Sequence, residues 1–358
     1  MPPFSFDHAP FILFWETTQA CDLVCQHCRA SAVPEPSPQE LSTEEGKALL
    51  DEARAMGCPI VVLTGGDPAK RSDLVELVRH GSALGLRMAL TPSATPLVTP
   101  SLLGALTEAG LSRLAISLDG ADAATHEAFR GVSGSYARTL EILSAARRLG
   151  LSTQVNTSIV QSNVDALEAI EGIVRGLEID LWAIFLVVPT GRAEAEGCLD
   201  AERVEAVLEY LAALSERAPF DLKTTAAPQL RRMLLQRKVR RQEIAGIEDG
   251  IGRAPRGVTD GQGVAFVSHL GEIYPSGFMP ISCGNVRREG LMKAYRDDAL
   301  MRALRDPDAL GGKCGLCEFR KVCGGSRARA LAMTGDPLAA DPACAYLPRR
   351  WVEQGAIP

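Results

Sequence analysis

The chain contains no run of apolar residues approaching the ~18 that a membrane-spanning helix requires, although 46% of its 358 residues are hydrophobic. Nor does it carry an excess of positive charge; the formal net charge is −6. A partner held by phosphate neutralisation needs a basic surface, so nucleic acid is not expected. The opening MPPFSFDHAPF has neither a charged leader nor a long apolar stretch, which argues against a secretory signal. Repeats of roughly 20–50 residues are also missing, apart from a strand–helix rhythm. These absences point to a cytoplasmic, reducing location with no membrane partner. The length suits one large α/β domain plus a smaller module.

Ten cysteines in such a location read as metal ligands rather than disulfides. They are unevenly placed. Three crowd into CDLVCQHC (21–28), and four fall late, at Cys314, Cys317, Cys323 and Cys344. Cys58, Cys198 and Cys283 stand apart.

Apolar, β-rich runs alternate with helical periodicity through roughly the first 220 residues. The expected strands are 11–18, 60–64, 86–91, 113–118, 153–159 and 181–188. Between them, 42–56 opens as a helix with Ser42 and Glu45 at capping-box spacing. Residues 99–110 begin with Thr99 before Pro100, a cap followed by proline at the first helical position. Strand–helix repeats imply parallel strands joined by right-handed crossovers. An open doubly wound sheet and a partial barrel both satisfy that pattern. Beyond residue 220 the texture changes: a basic helix over 231–244, a glycine-rich loop over 249–263, and a hairpin over 264–277 turning at Leu270-Gly271. The division expected is 1–225, a bridging helix and loop at 226–263, and a cysteine-bearing module at 264–358.

Cys21, Cys25 and Cys28 directly follow the first strand, at the end where α/β folds place active sites. Thiolates suit zinc and iron–sulfur clusters alike. A structural zinc site would close with four protein ligands, and the nearest fourth candidate is His27. Zinc would then require the adjacent residues 27 and 28 to reach one ion. An iron–sulfur cube held by three cysteines instead leaves one iron open to a small molecule.

This CxxxCxxC motif resembles the hallmark of the radical S-adenosylmethionine (SAM) superfamily. The resemblance implies a partial (β/α)6 barrel, which chooses between the two architectures, followed by a small α+β cluster-binding module. It also implies a 4Fe–4S cluster on Cys21, Cys25 and Cys28 whose open iron chelates SAM. Reductive cleavage then yields a 5′-deoxyadenosyl radical that abstracts hydrogen from a substrate. His27 would lie close to the adenine. An external donor such as flavodoxin or ferredoxin would supply the electron.

Thr64-Gly65-Gly66-Asp67-Pro68 ends the second strand. Two glycines permit close backbone approach to a ligand, and a carboxylate can receive an ammonium group. The turn looks like the family's GGE motif for the SAM amino group, with Asp67 in place of glutamate. Ser117 and Asp119, at the end of the fourth strand, and Asn156, on the fifth, are by resemblance candidate SAM contacts. Asp119 has a plainer alternative, capping the helix after Gly120. Pro189-Thr190-Gly191-Arg192, after the sixth strand, is a weaker candidate lining.

The four late cysteines make a ligand set for a cluster or zinc. Their spacing resembles the SPASM and twitch modules of radical SAM enzymes, which implies an auxiliary 4Fe–4S cluster on Cys314, Cys317, Cys323 and Cys344. Where a full SPASM module has further cysteines, this chain has Ser276 and Arg327. A single auxiliary cluster is therefore expected. Cys283 is left over, as a buried small hydrophobe or as a catalytic thiol facing substrate. The segment 314–346 resembles the tail of heme-biosynthesis members, which act on tetrapyrrole propionate or acetate side chains. Arg253, Arg256, Arg327, Arg329 and the basic face of 231–241 are candidate carboxylate partners. The alternative substrate is a ribosomal peptide, but no leader-binding extension is evident before residue 11.

Overall fold

A computed structural model describes residues 4–240 and 257–355. Along the first part of the chain run β1 (Ile12–Thr18), α1 (Thr43–Met56), β2 (Ile60–Gly65), α2 (Leu74–Ala83), β3 (Arg87–Leu90) and α3 (Pro100–Glu108). Next come β4 (Leu111–Ser117), α4 (Ala123–Arg130), α5 (Ser135–Arg148), β5 (Ser152–Ile159), α6 (Leu167–Gly176) and β6 (Leu181–Leu186). They are followed by α7 (Ala201–Leu214), β7 (Asp221–Thr225), α8 (Gln229–Arg240), β8 (Val264–Val267) and β9 (Ile273–Tyr274). The remaining helices are short: α9 (Leu291–Asp297), α10 (Ala299–Arg305), α11 (Gly312–Leu316), α12 (Arg327–Thr334) and α13 (Arg349–Glu353).

All six expected strands form, each within two residues of its expected ends. The α1 cap is a complete box: Glu45 N–H donates to Ser42 Oγ, and Ser42 N–H to Glu45 Oε2. Thr99 caps α3 as expected. The sheet order is β7-β6-β5-β4-β3-β2-β1-β8-β9, parallel from β7 to β8, with β9 antiparallel.

Period-two alternation explains the curl of this sheet. One set of residues, including Leu13, Trp15, Val61, Leu63, Met88, Leu90, Leu114, Ile116 and Val155, is fully buried in the large apolar core. The other set lines one cavity: Ile12 and Phe14, Val62 and Thr64, Arg113 and Ser117, Gln154 and Asn156, Lys223 and Thr225, Val264 and Phe266. Strands from opposite ends of the order, β7 and β8, face that same space. A flat sheet cannot do this. The fold is a partial barrel.

The barrel recruits more chain than expected. β7 adds a seventh parallel strand beside β6, and β8, the first strand of the expected second module, pairs with β1. Weak patterning hid β7, whose DLKTT is half-exposed. The hairpin turns as expected at Gly271, with φ +83°. Of the basic helix, 229–240 is formed; its remainder and most of the glycine-rich loop, with Arg253 and Arg256, lie outside the described residues.

Candidate active site

The loop after β1 returns on itself through Cys21 N–H to Val33 O (2.8 Å), so the three thiols share one closed loop. Cys21 and Cys25 are buried, and Cys28 is half-buried. Backbone amides point at two sulfurs: Leu23 N–H to Cys21 Sγ (3.3 Å) and Ala32 N–H to Cys28 Sγ (3.4 Å). Arg130 Nη1 reaches Cys25 Sγ at 3.7 Å. Arg192 binds the loop backbone, through Nε to Cys25 O (3.0 Å) and Nη1 to Ala32 O (3.2 Å). Beside it Gly191 has φ +68°, and a Cβ there would stand 2.4 Å from Cys28 O. Pro189–Arg192 thus clasps the loop.

Gly65 and Gly66 line the cavity and also pack on the residues before Cys21. A Cβ on either would fall 2.3 Å from a backbone oxygen, of Thr18 or Ala20 respectively. Side chains are excluded here by the chain itself. Asp67 is fully buried and does not face the cavity. Its carboxylate accepts from Ala69 N–H (3.1 Å), Ser93 N–H (3.3 Å) and Thr95 Oγ1 (2.6 Å). Burial raises its pKa above the usual aspartate value, and these bonds oppose the rise. Asp67 supports Ser93, whose hydroxyl touches Cys21 Sγ (3.3 Å) and donates to Gly66 O (3.0 Å).

Ser117 and Asn156 line the cavity, as does Ser158. Asp119 does not. It is fully buried, accepts from Ser158 N–H (2.7 Å) and pairs with Arg130 Nε (2.7 Å). Burial, the largest influence, would raise its pKa, but the Arg130 charge together with the neighbouring His27 and His126 and the Ser158 amide holds the carboxyl below its ordinary range. The capping alternative fails too, since Asp122 caps α4. Asp119 orients Arg130, which then meets Cys25.

His27 lines the cavity with its ring stacked on Phe129, centroids 4.1 Å apart and planes 11° apart. Its buried Nδ1 has no hydrogen-bond partner among the described residues. Burial, aided by the Arg130 charge, lowers its pKa to about 3, so the ring is neutral.

The cavity holds about 730 Å³. Its wall includes Arg29, Arg113 and Lys223, with Arg231, Arg237 and Lys238 from α8. Arg29, Ser93, Arg113, Arg130, Gln154 and Ser158 escaped the sequence reading. Polar residues at every second position of β5 are a signal that finds Gln154 and Ser158, and Arg113 shares the parity of Ser117 on β4. Arg130 carries no comparable mark, whereas Arg192, a candidate lining residue in the sequence, binds the loop backbone instead.

A second, small cavity of about 20 Å³ is lined by Cys314, Cys317, Cys323 and Cys344 together, with Arg232, Lys313 and Arg320. Burial pushes the Cys317 thiol up to about 11 and also raises Cys323 and Cys344. Among the described residues no three His, Cys, Asp or Glu side chains close on a single metal ion. In a cube each thiolate takes a different iron, so convergence on one point is not required.

Cys283 is half-buried against the core, donates toward Ile281 O (3.7 Å) and does not line the large cavity. It packs as a small hydrophobe. Arg327 and Arg329 are buried and spent on the protein. Arg329 pairs with Asp341 and donates to Ala226 O (2.8 Å), while Arg327 donates to Pro337 O (3.0 Å) and Ala339 O (2.6 Å). Neither lines the large cavity.

A curled parallel sheet with a three-thiol loop at its mouth defines a class of cluster-dependent barrel enzymes. Residues 15–174 match the Radical SAM superfamily. The AdoMet-dependent heme synthase of Oleidesulfovibrio alaskensis is 39% identical over 95% of this chain and 88% of its own. That of Methanosarcina barkeri is 36% identical over 95% of this chain and 98% of its own. A PqqA peptide cyclase of Rhodopseudomonas palustris is 30% identical over 95% and 88%. In fold, the chain is similar to Streptococcus suis SuiB bound to precursor peptide SuiA, with TM-score 0.72 and 16% identity over 95% of this chain and 76% of that one. The chain belongs to the radical SAM superfamily. It is an enzyme that uses a 4Fe–4S cluster and SAM. No described helix is long and apolar enough to cross a membrane.

Proposed function

We propose that this enzyme removes carboxyl groups from tetrapyrrole side chains in heme-type biosynthesis, with Cys21, Cys25 and Cys28 holding the SAM-binding cluster. The bound cluster and SAM together supply a hydrogen-abstracting 5′-deoxyadenosyl radical. Three thiols, two amides aimed at sulfur and the Arg130 guanidinium suit an anionic cluster. Gly65, Gly66, Ser117, Asn156 and His27 offer SAM a wall of backbone, small polar groups and one neutral ring. Asp67 and Asp119 act behind that wall as positioning residues.

The observation that carries the substrate reading is the cavity, which joins the thiol loop to a cationic wall from α8 and has room for a large polycarboxylate. Two near-full-length relatives that are heme synthases support it. Taking one hydrogen atom and one electron from a propionate side chain releases carbon dioxide and leaves a vinyl group, so an electron acceptor is required. Cys314, Cys317, Cys323 and Cys344 would hold an auxiliary 4Fe–4S cluster in the 264–358 module, whose first strand, β8, also belongs to the barrel sheet. A reduced flavodoxin or ferredoxin in the cytoplasm would feed the first cluster.

The test is anaerobic turnover of the reconstituted enzyme with SAM, reductant and an iron tetrapyrrole tetracarboxylate. Mass loss of one carbon dioxide and two hydrogens' worth of oxidation chemistry per side chain, matched to 5′-deoxyadenosine release, is expected. Cleavage of SAM with the tetrapyrrole unchanged would refute the assignment and favour the peptide-maturase alternative, which the cyclase relative supports at lower identity.

A further inference from the structure

Glu16 lies at the C-terminal end of β1, 4% exposed, with the same parity as the lumen residues Ile12 and Phe14. A lone buried carboxylate there would be costly, and the fold surrounds it with partners. His269 Nδ1 sits 2.7 Å from Glu16 Oε1, and Arg29 Nη2 donates to Oε2 at 2.8 Å. The Arg29 guanidinium also lies 4.6 Å over the Phe266 ring. Gly277 keeps this place open, for a Cβ there would come within 3.1 Å of Arg29 Cδ and 3.0 Å of Phe266. Arg29 is thus held by a carboxylate, an aromatic face and the chain next to Cys28.

Yet the guanidinium is not used up. Among the described residues its Nε and Nη1 have no hydrogen-bond partner, and Arg29 lines the large cavity. Arg327 and Arg329, by contrast, have their donors committed to the protein. A fixed fork with free donors is the arrangement that receives a carboxylate.

The geometry points to Arg29 as the residue that anchors a substrate carboxylate beside the cluster loop, with Glu16 and His269 as its positioning residues. This rests on the polycarboxylate reading above. SAM also carries a carboxylate, so the experiment separates the two sources. Binding of coproporphyrin III and of its tetramethyl ester to the anaerobic holoenzyme is followed by absorbance, and SAM binding by its perturbation of the cluster's electron paramagnetic resonance signal. For the wild type, the acid should bind more tightly than the ester. Arg29→Met should weaken the acid roughly tenfold or more and erase its advantage over the ester. Arg29→Lys, which keeps charge without the fork, should fall between, and Glu16→Gln should lower the acid-to-ester ratio less than Arg29→Met does. An acid-to-ester ratio unchanged in Arg29→Met and Arg29→Lys would overturn the anchor while leaving the tetrapyrrole reading intact. Weakened SAM binding with porphyrin binding unchanged would assign Arg29 to SAM and overturn it equally. A wild type that binds neither porphyrin would sink both readings.

Discussion

The two cysteine sites differ in how far along the chain their surroundings are gathered. The late four come from one segment, 314–344, and close round about 20 Å³ with a single residue from far along the chain, Arg232 of α8. The early three open onto about 730 Å³, and their support comes from Gly65, Ser93, Arg130 and Gly191, on four separate stretches. Four thiols can be gathered almost entirely within one segment, because a set of four needs no position left open to a small molecule. A site that leaves a position open must be held by the barrel instead, since the loop's own ligands cannot fix it.

The strongest test of this contrast is removal of each set. Cys21→Ala, Cys25→Ala and Cys28→Ala together should abolish SAM cleavage and remove about half of the iron, measured against labile sulfide. Removing the four late cysteines should also take about half of the iron, yet leave SAM cleavage without tetrapyrrole turnover. Zinc in place of iron at the late site would break the comparison.

The neighbouring cations give a finer test. Arg130→Met leaves Asp119 buried and unpaired, and should cost about 3–5 kcal/mol in chemical denaturation. Arg232→Met exposes no such charge, because its partner Glu205 is 31% exposed, and should cost roughly 1–2 kcal/mol. Equal losses would mean that the open site is no more dependent on its scaffold than the closed one.

The smallest effect lies outside both sites and serves as their reference. The Arg287 hydrogen bond, with the Ser42 amide, holds the Glu45 carboxyl down at about 2, against 4.5 ordinarily. Its folded value is below its unfolded one, so its stabilisation is present above about pH 4.5 and fades as pH falls toward 2. Glu45→Gln should lower stability at pH 7 by about 0.5–1 kcal/mol, with the difference from wild type shrinking in acid and neither site losing iron.

Much of this was legible in order along the chain. Strands, the α1 cap, the cysteine spacing and the GG turn all rest on neighbours within a few residues. Asp67 and Asp119 were legible as important but not in role. Each stands at a strand end where a carboxylate could face either a ligand or the protein, and only the positions of Thr95 and Arg130 decide. Arg327 and Arg329 misled for a related reason: a run of arginines reads alike whether its partners are substrate or carbonyl oxygens.

By itself the amino-acid order determined a parallel α/β chain, its family and two groups of thiols, because periodicity and ligand spacing are short-range properties. Tertiary structure alone decided which charges remain available. It committed Arg130 to Asp119 and Cys25, committed Arg329 to Asp341, and left Arg29 on the cavity wall with only Nη2 hydrogen-bonded among the described residues. Burial makes an unpaired charge costly, and which pairs form depends on strands brought together across the sheet rather than on sequence distance.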